Sequence, residues 1–152
     1  METNLCVAGF GGQGVMTLGK FLADATCNST NKNVTFFPSY GAEQRGGTAN
    51  CYVVISDETI GAPLGDVMDD LIVMNGASLN KFLPKLKQGG TLFINSSIVT
   101  DAIDRTDVAV VKAPVTELAL EMGNAKVLNV IMLGVYVGYT EVIEPSIVWN
   151  TI

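Results

Sequence analysis

The chain opens with the stretch Leu5-Cys6-Val7-Ala8-Gly9-Phe10-Gly11-Gly12-Gln13-Gly14, in which an apolar run passes directly into a glycine-rich turn. The run suits a buried strand. Residues 15–27 follow with apolar side chains at helical spacing, namely Val15, Leu18, Leu22 and Ala25. The opening therefore predicts a strand, a tight turn and a helix, as in a Rossmann-like unit.

Beyond this unit, strand and helix patterns keep alternating to the end of the chain. Apolar runs predict strands at residues 34–37, 48–56, 70–74, 91–95 and 108–111. Helices are predicted at 78–86, from Pro114 onward, and at 126–139 and 145–150. Residues 48–56 follow a polar, glycine-rich segment, which suits a hairpin or an antiparallel insertion. We expect an α/β fold with three layers, α/β/α, around a mixed, mostly parallel sheet.

Composition narrows the class of protein. The chain has 152 residues, of which 48% are hydrophobic, which suits a single domain over residues 1–152. A net charge of −6 argues against nucleic-acid binding and against an anionic membrane surface. The longest apolar stretch, 127–137, is too short to span a bilayer, and no signal peptide is visible, so we expect a cytoplasmic protein. The segment ending at Ile152 lacks a helix-ending glycine, which favours a natural chain that continues.

The inventory of reactive side chains excludes several chemistries. The sequence contains no histidine, which removes the commonest general base and the serine and cysteine triads. Its three cysteines, Cys6, Cys27 and Cys51, have no metal-binding spacing, so no metal or iron–sulfur site is expected in this chain. Cys51 lies inside a β-rich run and is expected to pack as a small hydrophobe. We propose no catalytic acid, base or nucleophile.

The turn from Gly9 to Gly14 satisfies the pattern G-x-G-x-x-G between a strand and a helix, where backbone N–H groups favour phosphate. A dinucleotide site also needs an acidic residue after the second strand, and that strand leads instead into Phe37 and Pro38. Three interpretations stay open: a dinucleotide site, a site for another phosphate-bearing ligand, and a turn that only lets the first helix pack closely.

A second loop, residues 38–50, is the densest in side chains typical of binding sites. Tyr40 offers an aromatic hydroxyl, Glu43 and Arg45 carry opposite charges, and Gly46 permits close approach of a ligand or another backbone. We interpret it as functional. The alternative is that Glu43 and Arg45 pair only to hold the loop.

Together these segments resemble the gamma subunit of 2-oxoacid:ferredoxin oxidoreductases. The resemblance rests on residues 9–15, on residues 39–51 and on 54–57, and it continues through 70–75, 90–96 and 124–129, with Leu133 and Gly134. It thus covers nearly the whole chain. The sequence Arg45-Gly46-Gly47-Thr48 looks more like that of the 2-oxoglutarate or branched-chain enzymes of the family than like that of the pyruvate enzymes.

The resemblance implies a subunit that works in a complex with alpha and beta chains and, in some relatives, a ferredoxin-like delta chain. Thiamine diphosphate, Mg²⁺ and iron–sulfur clusters would lie on those partners, with ferredoxin as acceptor and coenzyme A as co-substrate. The gamma subunit would contribute to assembly of the complex and to the handling of coenzyme A. The residues expected at the phosphate-binding or active-site face are Gly11, Gly12, Gln13, Gly14, Tyr40, Glu43, Arg45 and Gly46.

Two rivals remain at the level of sequence. A stand-alone nucleotide-binding dehydrogenase would use the same glycine turn and bind nicotinamide. A purely architectural subunit would keep the partners but leave coenzyme A affinity unchanged on Arg45→Ala or Gln13→Ala. Relatives that act on indolepyruvate or other aryl 2-oxoacids are also compatible with the sequence.

Overall fold

A single mixed sheet organises the molecule. The computed structural model describes residues 2–10, 14–39, 48–58, 68–100, 103–124 and 127–151. Within these residues the strands are β1 (Glu2–Phe10), β2 (Asn33–Ser39), β3 (Thr48–Ser56), β4 (Met68–Val73), β5 (Leu86–Asn95) and β6 (Ala109–Ala113). They form a sheet in the order β2-β3-β1-β4-β5-β6.

The strand β3 is the antiparallel member of this sheet. It pairs antiparallel with both β1 and β2, whereas β1, β4, β5 and β6 pair parallel to one another. The α/β class, the mixed sheet and the antiparallel insertion at residues 48–56 are therefore confirmed. Because β3 enters from the opposite direction, its first residue lies beside the last residue of β1, with Thr48 opposite Phe10.

Helices cover both faces of the sheet. They are α1 (Val15–Ser29), α2 (Gly76–Phe82), α3 (Val115–Glu121), α4 (Leu128–Thr140) and α5 (Pro145–Thr151). On one face α1, α4 and α5 enclose a core built around side chains such as Leu18, Phe93 and Leu133. On the other face α2 packs on alternate residues of the same strands, among them Cys6 and Leu71. The three-layer arrangement follows from strands that are apolar on both faces.

Several predicted boundaries differ from the structure, and three of the differences have a clear cause or setting. The strand β2 continues through Pro38, since it lies at the edge of the sheet, where proline is tolerated. The strand β5 begins before Gly89 and Gly90, with a register irregularity on the neighbouring β4. The second helix ends at Phe82 and passes into a 3-10 turn that contains Pro84, which cannot continue an α-helix.

A glycine sets the distance between α1 and the sheet. A Cβ built on Gly19 would lie 2.5 Å from the sulfur of Cys51 and 3.0 Å from Cε1 of Phe36. The helix backbone therefore rests directly on β2 and β3. From sequence, one interpretation of the glycine turn was that it lets the first helix pack closely on the sheet. In the structure, Gly19 within α1 permits this close packing.

Candidate functional site

The carboxyl edge of the sheet is the candidate site. Here β1, β2, β4, β5 and β6 end and β3 begins, so the connections after these strands meet along one line. The chain leaves β1 toward β2 on one side, while β4 lies on the other side of β1. Such a reversal of strand order opens a crevice at the carboxyl ends of the strands, the usual ligand position in α/β sheets.

Gly14 lies at this edge and caps the start of α1. Its φ of 74° falls in the left-handed region, and its carbonyl accepts the hydrogen bond from the N–H of Leu18 at 2.9 Å. Residues with a side chain pay roughly 1–2 kcal/mol in that conformation. A glycine at this position lets the chain enter a helix of 15 residues straight from the turn.

Asn129, in the first turn of α4, lies against Gly14. A Cβ on Gly14 would come within 2.7 Å of Nδ2 and 2.9 Å of Cγ of Asn129, whose side chain is buried. The two residues are distant in sequence, and the packing of α4 beside α1 brings them together. The resemblance quoted above included Asn129 without giving it a role, and its only sequence signal is a polar residue inside an apolar helix.

Three further asparagines are buried along the same edge: Asn50, Asn75 and Asn95. Asn50 lies on β3 opposite Ala8 of β1. Asn75 follows β4 and accepts the N–H of Ser78 at 2.8 Å, which caps α2. Asn95 ends β5, donates to Thr116 Oγ1 at 2.9 Å and accepts the N–H of Ser97 at 3.2 Å. None of the three was predicted from sequence as a site residue, although each borders a buried strand.

Most of the site residues expected from sequence lie outside the described residues. Gly14 is the one that the structure describes, and it lies where the glycine turn was predicted. The remaining residues stay predictions: Gly11, Gly12, Gln13, Tyr40, Glu43, Arg45 and Gly46. Their anchors are described, since β1 ends beside the start of β3 at the Phe10–Thr48 pair. The two predicted segments therefore attach to adjacent strands at the carboxyl edge.

The buried cysteines have no reactive character. The side chain of Cys51 is fully buried, its thiol lies 3.6 Å from the carbonyl of Val15, and desolvation raises its pKa to about 12. Burial likewise raises the pKa of the Cys6 thiol. Since the thiolate is the reactive form, both cysteines pack as small hydrophobes at neutral pH. The expected role of Cys51 is confirmed.

The opposite, amino edge carries a cavity of about 330 Å³ with a polar lining that includes Asp69, Asp70 and Lys87. Asp69 pairs with Lys87 at 2.5 Å and accepts the N–H of Asn4 at 2.7 Å. Asp70 accepts the hydroxyl of Tyr136 at 2.8 Å. Desolvation raises the pKa of the Asp70 carboxyl, and desolvation followed by the charge of Asp70 raises the pKa of Tyr136. This cavity lies at the far end of the strands from the glycine turn.

The described part of the chain offers neither a cluster of metal-ligating side chains nor a helix that could cross a membrane. In the described residues, cysteine, aspartate and glutamate side chains form no group of three or more that could hold a metal ion. Across the same part of the chain, the helices lack the combined length and apolar character needed to span a membrane.

Known sequences identify the family. The profile of the family described as pyruvate ferredoxin/flavodoxin oxidoreductase matches residues 4–152. The ketoisovalerate oxidoreductase subunit VorA of Methanothermobacter thermautotrophicus is 40% identical over 88% of this chain, which spans 28% of that longer subunit. The 2-oxoglutarate synthase subunit KorC of Methanocaldococcus jannaschii is 33% identical over 95% of this chain and 78% of its own length.

Solved structures agree with the sequences. The gamma subunit of a keto/oxoacid ferredoxin oxidoreductase from Geobacter sulfurreducens aligns over 99% of this chain and 83% of its own, with a TM-score of 0.90 and 25% identity. A 2-oxoglutarate:ferredoxin oxidoreductase from Magnetococcus marinus, with 2-oxoglutarate, coenzyme A and succinyl-CoA bound, aligns over 99% of this chain and 26% of its own, with a TM-score of 0.89 and 25% identity. The glycine turn, the inserted strand β3 and these matches agree, and the chain belongs to the pyruvate ferredoxin/flavodoxin oxidoreductase family.

Proposed function

We propose that this chain is the gamma part of a 2-oxoacid:ferredoxin oxidoreductase. The complex would convert a 2-oxoacid and coenzyme A into an acyl-CoA and carbon dioxide while reducing ferredoxin. The observation that carries the proposal is the alignment of 99% of the chain with part of the 2-oxoglutarate:ferredoxin oxidoreductase at a TM-score of 0.89. A free-standing dehydrogenase would not explain why the chain matches segments of larger oxidoreductase subunits.

The chemistry of the reaction would lie on partner chains. In this proposal the alpha and beta chains hold thiamine diphosphate with Mg²⁺, and iron–sulfur clusters on partner chains, which can include a ferredoxin-like delta chain, carry the electrons. The isolated chain would therefore be inactive. We place the assembled enzyme in the cytoplasm, and we propose that residues 1–152 form one gamma-type domain.

The substrate would be 2-oxoglutarate or a branched-chain 2-oxoacid. This choice is supported by the sequence Arg45-Gly46-Gly47-Thr48 and by the names of the relatives, which include both ketoisovalerate and 2-oxoglutarate enzymes. Two indolepyruvate oxidoreductase subunits are more distant, at 26% and 27% identity. The partner chains would make most of the contacts that select the 2-oxoacid.

Gamma's own contribution would be to hold coenzyme A at the carboxyl edge. Its support is a helix of 15 residues that begins after Gly14, where free backbone N–H groups and the helix dipole favour phosphate oxygens. Arg45, Glu43 and Tyr40 belong to the segment anchored beside it. The residues that we propose for this face are the eight named from the sequence, with Gly14 as its described member.

The first test is purification of a tagged chain from its native host under anaerobic conditions. We expect stoichiometric larger chains, thiamine diphosphate and iron to co-purify, and a screen of 2-oxoacids with coenzyme A and ferredoxin would then name the substrate. A lone, cofactor-free chain that binds nicotinamide would overturn the proposal in favour of a dehydrogenase.

The second test concerns coenzyme A in the assembled enzyme. We expect Gln13→Ala and Arg45→Ala to raise the KM for coenzyme A while leaving the KM for the 2-oxoacid unchanged. An unchanged KM for coenzyme A in both variants would show that the subunit is purely architectural.

A further inference from the structure

Asn75 has a buried amide group that the described residues use only in part. Its side chain is 2% exposed and its Oδ1 accepts the N–H of Ser78. Its Nδ2 is buried and has no hydrogen-bond partner in the described part of the chain. Buried polar groups are nearly always hydrogen-bonded, because an unmade bond costs the desolvation of the group. The missing partner of Nδ2 therefore requires an explanation.

Ser78 presents a second atom of the same kind. The residue is fully buried, and its Oγ likewise has no partner among the residues that the structure describes. Ser78 lies one turn after Asn75, so the two groups belong to a single turn of chain. An amide N–H and a hydroxyl on one turn can both donate to the same acceptor oxygen.

This turn borders the crevice where the strand order reverses. The N–H of Met74 donates to the carbonyl of Ala8 at 2.9 Å, so the next residue, Asn75, lies beside the end of β1. Across β1, Asn50 pairs with Ala8 from the other side. Ala8 has a small side chain on the face that α2 covers. The turn that carries the two unused groups thus lies beside the end of β1, at the usual ligand position of this sheet class.

Asn95 shows that burial at this edge does not by itself leave an amide unused. It is as deeply buried as Asn75 and ends the parallel strand β5, whereas Asn75 lies just after the parallel strand β4. Its Nδ2 donates to Thr116 and its Oδ1 accepts from Ser97. One of two similar asparagines is therefore satisfied by described residues of the chain, and the other is not.

We propose that Asn75 Nδ2 and Ser78 Oγ donate hydrogen bonds to an acceptor oxygen of the ligand bound at the carboxyl edge. The inference rests on the proposed function, in which that ligand is coenzyme A. The oxygen belongs to either the phosphates or the amide groups of the pantetheine arm, which share this acceptor chemistry. The site consists of the two side chains and does not depend on the dipole of α2, a helix of only 7 residues.

The test uses Asn75→Asp and Ser78→Ala in the assembled enzyme. Aspartate keeps the oxygen that caps α2 and removes the N–H donor, and alanine removes the hydroxyl. We expect Ser78→Ala to raise the KM for coenzyme A by about 3- to 10-fold, the loss typical of one hydrogen bond. Asn75→Asp should raise it by at least as much, because it also places a carboxylate charge beside the ligand oxygen. The kcat and the KM for the 2-oxoacid should stay unchanged. Ser78→Ala should not lower the melting temperature, because the hydroxyl that it removes makes no bond in the described structure.

Competition by ligand fragments identifies the oxygen. Pantetheine and adenosine 3′,5′-bisphosphate are used as inhibitors against coenzyme A, and the fragment whose inhibition constant rises in Ser78→Ala carries the acceptor. Unchanged constants for both fragments, together with an unchanged KM for coenzyme A, would overturn the inference.

Asn95→Asp is the matched control, since it should lower the melting temperature without changing the KM for coenzyme A. The outcome is separable from that of the proposed function. If Gln13→Ala and Arg45→Ala weaken coenzyme A binding while Asn75→Asp and Ser78→Ala do not, only the present inference fails. If the purified complex shows no dependence on coenzyme A, the proposed function fails.

Discussion

The two edges of the sheet differ in how their polar side chains are used. At the amino edge, Asp69 pairs with Lys87, and Asp70 accepts the hydroxyl of Tyr136. At the carboxyl edge the buried polar residues are neutral, and Asn75 and Ser78 retain donors without partners in the described residues. At the amino edge, Asn4 Oδ1 is a buried acceptor without a partner in the described part of the chain. The backbone N–H and the side-chain amide of Asn4 nevertheless both donate to Asp69. The charged groups at the amino edge are paired within the fold, whereas two neutral groups at the carboxyl edge keep donors that the described residues do not use.

The largest effect should come from the carboxyl edge. We expect Gly14→Ala to lower the free energy of unfolding by about 2–4 kcal/mol, because a left-handed alanine is strained and its Cβ overlaps Asn129. Denaturant unfolding measures the loss. Gly89→Ala is the matched control, since its φ of 82° is similar but no atom lies within 4 Å of the added Cβ. Equal losses at Gly14 and Gly89 would show that the contact with Asn129 has no steric consequence.

A smaller effect is expected at the amino edge from Tyr136→Phe. The change leaves the buried carboxyl of Asp70 without its hydroxyl donor, so we expect a loss of about 1–3 kcal/mol. Tyr139→Phe is the control, because Tyr139 is more than half exposed on the same helix and should cost little. A melting temperature that Tyr136→Phe leaves unchanged would contradict the view that this edge is held by its polar pairs.

The smallest effect is a pH dependence at Asp70. Burial raises the pKa of this carboxyl in the folded chain, so the folded state binds its proton more tightly than the unfolded state does. Its contribution to stability is therefore present at low pH and is lost as the pH rises through the folded pKa. The substitution Asp70→Asn removes the charge that burial desolvates and keeps an oxygen that can accept the hydroxyl of Tyr136.

We expect Asp70→Asn to raise the free energy of unfolding at neutral pH by about 1 kcal/mol or less. The gain should shrink as the pH falls toward about 4, the ordinary pKa of aspartate. Asp69→Asn serves as the comparison, since it should be destabilising at neutral pH through loss of the Lys87 pair. A gain from Asp70→Asn that is constant from about pH 4 to about pH 8 would contradict the raised pKa of Asp70.

Much of the architecture could be predicted because its signals are local. The β-rich composition of residues 48–56 predicts the strand with the bounds that β3 has, and its polar approach favours the antiparallel direction. Pro38 was misleading, since proline excludes a central strand but not an edge strand, and a sequence does not state which strand lies at the edge.

The candidate site was only partly predictable. Gly14 followed from the glycine pattern, because its left-handed backbone depends on its own residue type. Asn75 and Ser78 could not be singled out, since an asparagine after a strand looks the same whether or not its amide finds a partner. Asn95 and Asn75 have similar sequence settings and different hydrogen bonds.

The order of strands and helices, the glycine turn before α1 and the absence of histidine chemistry follow from the order of residues alone, because periodicity, turn propensity and residue type are properties of short segments. Packing between distant segments places Asn129 against Gly14, brings Tyr136 to Asp70 across 66 positions, and leaves Asn75 with a donor unused by the described residues. These contacts depend on which strands are neighbours and on how α4 packs beside α1. Long-range packing sets such distances, and no local pattern records them.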